Sequence, residues 1–265
     1  MKPDPKTGEK NLIIFYDDAQ NLYGRQRPNW KQIGIDVQRG DRAKVMKECF
    51  RNTREIVDVA FNVLLGSEAT AEDKVNMKSY ADVAYLRQAN LIEEVGGFYK
   101  VGFAERRGDY PKLSVFASRI DEMQWIADEV KRLVCDEHVR PEDILVLFGY
   151  ADKFERLPQM IRQRVGIEYV ADFVQPFGES QDRDSYIFRP QCMTLSTVHG
   201  AKGYDSYVTF LAGVDLFRSD EAGRASLYVG ATRSKLLLNV SGLSSPLMSE
   251  MERVIARARA LRRES

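Results

Sequence analysis

The sequence predicts an α/β fold with a mainly parallel sheet flanked by helices, on three observations. Short apolar runs of strand length alternate with longer segments of helical period along nearly the whole chain. The 265 residues, 44% of them hydrophobic, supply enough apolar material for a packed core in one large or two small domains. The longest apolar runs, such as 12–16 and 144–148, fall far short of the roughly 18 residues a membrane span needs.

Taken in order, the expected strands are 12–16, 113–117, 144–148, 167–170, 193–198, 207–212 and 236–240, each a short run rich in Val, Ile, Leu and aromatic residues. Helices are expected between them. The segment 53–65 sets Ile56, Val57, Ala60, Phe61, Val63 and Leu64 on a core-facing stripe, and 121–134 does the same with Trp125, Ile126, Val130 and Leu133. Helices over 153–165 and 248–261 complete the set, the last with Met251, Val254, Ile255, Ala258 and Leu261 on one face and a strongly basic opposite face. Turn and polar residues cluster in 25–41, 66–77 and 175–190, which read as surface loops.

Charge excludes little but says something about strength. Lys+Arg and Asp+Glu both number 39, so no long-range field announces a nucleic-acid or membrane partner. Cys49, Cys135 and Cys192 are odd in number and not in CxxC spacing, which argues against a disulfide framework or a zinc site, and no metal ligand set is expected. The polar start MKPDPKTGEK has no signal-peptide core, so the expected setting is cytoplasmic, away from membranes.

Two stretches resemble an acidic magnesium-holding motif: IIFYDDAQ at 13–20 and RIDEMQW at 119–125. The second opens an amphipathic helix, and Asp121 with Gln124 has the spacing of a capping box. The first is an apolar strand ending in Asp17-Asp18, where a parallel sheet presents side chains to a ligand. No GxxxxGK[ST] phosphate loop occurs, since Lys202 is followed by Gly203 and no Gly-Lys-Ser/Thr occurs anywhere.

Four segments carry the functional reading: YDDAQNLYG at 16–24, ECFRNTREIVDVA at 48–60, MTLSTVHGAKGYD at 193–205 and SLYVGATRSK at 226–235. In content and order the chain resembles the UvrD/Rep family of superfamily 1 DNA helicases from motif III to motif VI. TVHGAKGYD is similar to the family's T-x-H-x-x-K-G-x-E, and YVGATR to its Y-V-x-x-T-R.

The resemblance implies a RecA-like domain, a P-loop NTPase-like fold lacking the P-loop. Residues 1–30 would be a stub of the first RecA-like domain carrying motif III, and 31–265 the second domain, with motifs IV, V and VI. The large domain that many relatives insert between motifs IV and V would be missing or much reduced. The implied activity is that of the C-terminal motor domain of an ATP-dependent 3′-to-5′ DNA helicase. ATP is its cofactor, with Mg²⁺ held by the missing N-terminal RecA-like domain, and single-stranded DNA is its partner.

By the same resemblance Arg51 and Arg233 reach the γ-phosphate, where a planar guanidinium stabilises charge during phosphoryl transfer, and Gln20 senses that phosphate or its attacking water. Asp17 would help to hold the loop of Gln20, while Gly203 and Asp205 would meet the nucleotide, Asp205 standing where the family has a ribose-binding Glu. Thr197, His199 and Lys202 would contact the DNA backbone. Arg25 occupies a place where relatives often carry a base-stacking aromatic. The competing reading is a non-catalytic DNA-binding or regulatory module derived from such a domain.

Overall fold

The computed structural model describes Lys6, Gln32 and residues 51–70, 82–88, 90–102, 104–174, 190–201 and 203–263. The expected strand 12–16, with Asp17, Gln20 and Arg25, lies outside the described residues, as does Lys202.

Among the described residues eight strands form two sheets. The main sheet is six-stranded and wholly parallel, in the order β3 (Lys112–Phe116), β8 (Ser234–Leu243), β7 (Ser206–Ala212), β4 (Ile144–Phe148), β6 (Cys192–Thr197), β5 (Asp172–Val174). The fold class is therefore the α/β architecture expected, a parallel sheet flanked by helices.

Alternation along β4 shows how the sheet is covered on both faces. Leu145 and Leu147 point into a core made with α1 (Arg54–Leu64), α5 (Glu221–Ala231) and α6 (Pro246–Arg263). Ile144, Val146 and Phe148 point into a second core under α3 (Arg119–Lys131) and α4 (Leu157–Val165). All five residues of β4 are buried, as a central strand with both faces covered must be.

Helix α1 is buried on several sides. Ile56, Val59, Ala60 and Val63 enter the main core, while Val57 and Phe61 meet a small antiparallel hairpin, β1 (Ile92–Val95) with β2 (Phe98–Val101). Asn62 pairs with the strand backbone as another strand would: its Nδ2 donates to the Tyr99 carbonyl and its Oδ1 accepts from the Tyr99 N–H. Asp58 Oδ1 accepts the Val101 N–H at 2.7 Å. The hairpin and α2 (Asp82–Gln88) were not anticipated from the pattern, although Gly96 and Gly97, at φ +57° and +83°, form a two-residue turn that glycine adopts without a Cβ penalty. Helix α5 was likewise unassigned.

On the same face, Arg224 of α5 forms a bidentate pair with Glu250 of α6, at 2.6 and 2.7 Å, and donates to the Val63 carbonyl of α1. One fully buried guanidinium thus links three helices.

Three expectations are corrected. The strand over 167–170 is a turn: the Tyr169 and Val170 N–H groups both bond the Gly166 carbonyl, Ile167 is 65% exposed, and pairing begins only at Asp172. Gly166, at φ +94°, ends α4 too abruptly for the apolar run after it to enter the sheet at once. The helix over 121–134 starts earlier and ends in a π turn over Arg132–Asp136; its N-cap is Ser118, whose Oγ accepts the Asp121 N–H, so Asp121 is the third residue of the first turn and not the cap. The helix over 153–165 is a 3-10 turn, Ala151–Phe154, followed by α4.

Candidate functional site

The three described segments singled out in the sequence meet at the N-terminal edge of the main sheet. Asn52, buried next to Arg51, donates from Nδ2 to the carbonyls of Thr232 and Ser234, which flank Arg233. The Ser206 N–H donates to the Arg233 carbonyl at 2.9 Å, joining the end of the 193–205 segment to the same point.

Gly230 permits this approach. A Cβ there would lie 2.8 Å from a Leu211 methyl and 3.2 Å from a Val198 methyl, so α5 packs closely against β7 and the turn after β6 at a residue without a side chain, and a larger one would have to displace the Leu211 side chain.

The charged groups converge on Asp205. Arg51 Nε lies 3.0 Å from its Oδ2, and Lys235 Nζ lies 2.7 Å from its Oδ1. Lys235 Nζ also sits 5.2 Å from the centre of the Tyr207 ring. A cavity of about 380 Å³ opens beside this group, lined among others by Arg140, Asp143, Asp205, Tyr207 and Lys235. Arg51 is 47% exposed and available to a ligand.

Arg233 is buried where Arg51 is exposed. It is only 2% exposed, with Nε donating to the Val229 carbonyl and one terminal nitrogen to the Tyr204 carbonyl, both at 3.2 Å. Its guanidinium therefore holds the end of α5 and the Tyr204–Asp205 segment together.

Thr197 and His199 lie at the other end of the sheet. Thr197 pairs in register with Phe148 at the close of β4, whereas Ser206 donates from Oγ to the Asp143 carbonyl just before β4 begins. The five residues of β4 separate the two ends by about 16 Å, at roughly 3.3 Å per residue. Thr197 accepts the Gly200 N–H on Oγ1 and the Ala201 N–H on its carbonyl, closing a turn that leaves His199 exposed. Gly203, at φ +96°, turns the chain back toward Asp205, with nothing within 4 Å of where a Cβ would stand. Over β7 and β8 this C-terminal edge is filled by the protein itself: buried Glu122 accepts from the Gly213 N–H and the Ser241 hydroxyl, and Arg119 joins Glu122 to Asp215.

The chain thus brings Arg51, Arg233 and Asp205 to one edge and sets Thr197 and His199 apart from them. Asn52, Lys235 and Tyr207 belong to the first group and escaped the sequence reading. Asn52 and Lys235 carry a signal, since Asn52 lies inside the 48–60 segment next to Arg51 and Lys235 ends the 226–235 segment.

No family model matches the chain and no curated protein matches it. Among solved structures it is similar to the C-terminal domain of a possible DNA helicase from Lactobacillus plantarum WCFS1, at 14% identity over 78% of this chain and 96% of that one, with a TM-score of 0.46. A likeness that faint fixes no function. Among the described residues no helix is long and apolar enough to cross a membrane.

Proposed function

We propose that this chain is the second, C-terminal RecA-like domain of a UvrD/Rep-like, ATP-dependent 3′-to-5′ DNA helicase. One observation carries the reading. Arg51, Asp205 and Arg233, drawn from segments that resemble motifs IV, V and VI, are gathered at one edge of the sheet by Asn52 and by the ion pair of Arg51 with Asp205. Independent surface residues have no reason to be gathered by buried hydrogen bonds.

In this reading ATP is held mainly by a partner RecA-like domain that supplies the phosphate loop and the Mg²⁺. A Mg²⁺ held there would supply neutralisation of phosphate charge. Arg51, exposed at the domain edge, reaches the γ-phosphate as the two domains close and stabilises charge in the transition state. Arg233 serves the same cleft either by direct contact on closure or by fixing the Tyr204–Asp205 segment beside it. Gln20 and Asp17 would stand at the phosphate from the first domain's side. Single-stranded DNA is contacted by Thr197, His199 and Lys202, with Thr197 and His199 at the opposite end of the sheet from Arg51, so that closing and opening the cleft moves that end of the domain relative to the strand. The chain on its own does not hydrolyse ATP.

A second reading, a non-catalytic DNA-binding or regulatory module, is favoured by the burial of Arg233 on backbone carbonyls. The two separate on one experiment. With a phosphate-loop domain supplied in cis or in trans, the motor reading expects DNA-stimulated ATPase that Arg51→Ala abolishes. The module reading expects DNA binding with no ATPase in any combination.

A further inference from the structure

Asp205 stands where two cations meet. Arg51 approaches one carboxylate oxygen and Lys235 the other, so the carboxylate bridges them as an oxyanion ligand would. We propose that Arg51 and Lys235 form a two-cation seat for a phosphate group of a nucleotide's polyphosphate tail, which Asp205 fills as an internal counter-ion until the phosphate displaces it. The seat stands on geometry alone; only the naming of a nucleotide rests on the function proposed above.

Four features support displacement. The members are accessible, with side-chain exposures of 47% for Arg51, 28% for Lys235 and 23% for Asp205. Ion pairs this exposed contribute little net stability, so exchanging one for another costs little. A phosphate carries more charge and more acceptor oxygens than a carboxylate, and the guanidinium fork matches it in two parallel hydrogen bonds. Asp205 also follows Gly203, whose φ of +96° and open surroundings leave the backbone room to carry the carboxylate aside.

Lys235 is the new member of the cleft. The Tyr207 ring beneath its ammonium holds it in place when Asp205 leaves, because a cation over an aromatic face keeps an attractive partner. A vacated seat therefore stays cationic and placed. Arg51 then acts at the nucleotide only after Asp205 has released it, which couples nucleotide arrival to arming of that arginine.

The test is binding of inorganic pyrophosphate to the whole chain at low ionic strength, by calorimetry, in parent and variants. Pyrophosphate has no ribose, so any ribose contact of Asp205 cannot enter. Asp205→Asn should bind roughly tenfold tighter than the parent, since one charge close to the seat has been removed. Glu252→Gln, the same charge change at an exposed site on α6, should bind as the parent does. Lys235→Gln and Arg51→Ala should each weaken binding severalfold.

Asp205→Asn binding no tighter than Glu252→Gln would overturn the counter-ion. A single-stranded oligonucleotide that gains as much from Asp205→Asn as pyrophosphate does would overturn the assignment to a nucleotide tail. Failure of the helicase reading looks different: pyrophosphate affinity still rises in Asp205→Asn, while the assembled motor with Arg51→Ala turns over ATP as before.

Discussion

Asn52 and Ser234 lie 182 positions apart and are joined by a 2.5 Å hydrogen bond from the Asn52 carboxamide to the Ser234 carbonyl, with a second bond to the Thr232 carbonyl at 2.8 Å. The residue after Arg51 thereby fixes the backbone on both sides of Arg233. Asn52→Ala would leave two buried carbonyls without this donor, and should lower stability by about 1–3 kcal/mol in denaturant titrations. Asn52→Asp should be worse, because a carboxylate would face two carbonyl oxygens. An Asn52→Ala protein as stable as the parent would remove the clamp from the account.

The Arg224–Glu250 pair gives a second stability test. Removing one partner of a buried ion pair leaves an uncompensated charge, so Arg224→Met alone should cost about 3–5 kcal/mol. Arg224→Met combined with Glu250→Leu should recover most of that loss, since an apolar pair carries no desolvation penalty. A double variant as unstable as Arg224→Met would show that the guanidinium's bonds to Val63 and Ser219, and not the ion pair, hold the helices.

Asp58 sets a pH dependence. Burial pushes its carboxyl up to about 6, outweighing the Val101 N–H bond and the Arg54 charge that favour its ionised form. A carboxyl whose folded pKa lies above its unfolded value contributes stability that is fully present below about 4 and lost as pH rises through about 6. Asp58→Asn keeps an oxygen for Val101 and cannot ionise. Its stability relative to the parent should therefore rise between pH 4 and pH 6.5 by up to roughly 3 kcal/mol, and level off above that. A constant difference across that range would show that Asp58 titrates normally in the folded protein.

How much of this could be read from the chain differs by element. The strand over 144–148 is legible to the residue because a strand buried on both faces is a continuous apolar run between turn residues. The segment 167–170, Ile-Glu-Tyr-Val, has strand-forming residues but is broken by Glu168, and it forms a turn on the Gly166 carbonyl instead of a strand. The Gly96-Gly97 hairpin was open to reading from its two adjacent glycines between short alternating segments. At the site, sequence marks which segments matter but not which way their side chains go. Arg51 and Arg233 look equivalent as letters, yet one is half exposed and the other buried on carbonyls. The bridge from Asp205 to Lys235 depends on β7 and β8 lying side by side, a tertiary fact that no local pattern encodes.

DNA binding should be weak, sequence-independent and steeply salt-dependent, because a chain of zero net charge relies on a few local phosphate contacts. Replacing His199 and Lys202 together by Ala should weaken single-stranded DNA binding and flatten the slope of log affinity against log salt. Asp205→Asn, which follows the turn at Gly203 and lies at the opposite end of the sheet from Thr197, should change both far less than the double replacement does. Unaltered binding after the double change would move the DNA path elsewhere on the domain.

The central claim is that the edge carrying Arg51 completes an ATP cleft, and the most direct measurement is steady-state ATPase of the motor assembled with a phosphate-loop domain, beside single-stranded DNA binding on the same proteins. Arg51 is the clean probe, since its side chain is exposed and its truncation leaves the fold intact. The account predicts that Arg51→Ala lowers turnover by about 10³ to 10⁵ with DNA affinity retained, and that Arg51→Lys recovers little because it keeps the charge and loses the planar fork. Arg51→Ala hydrolysing ATP at near the parent rate would contradict it.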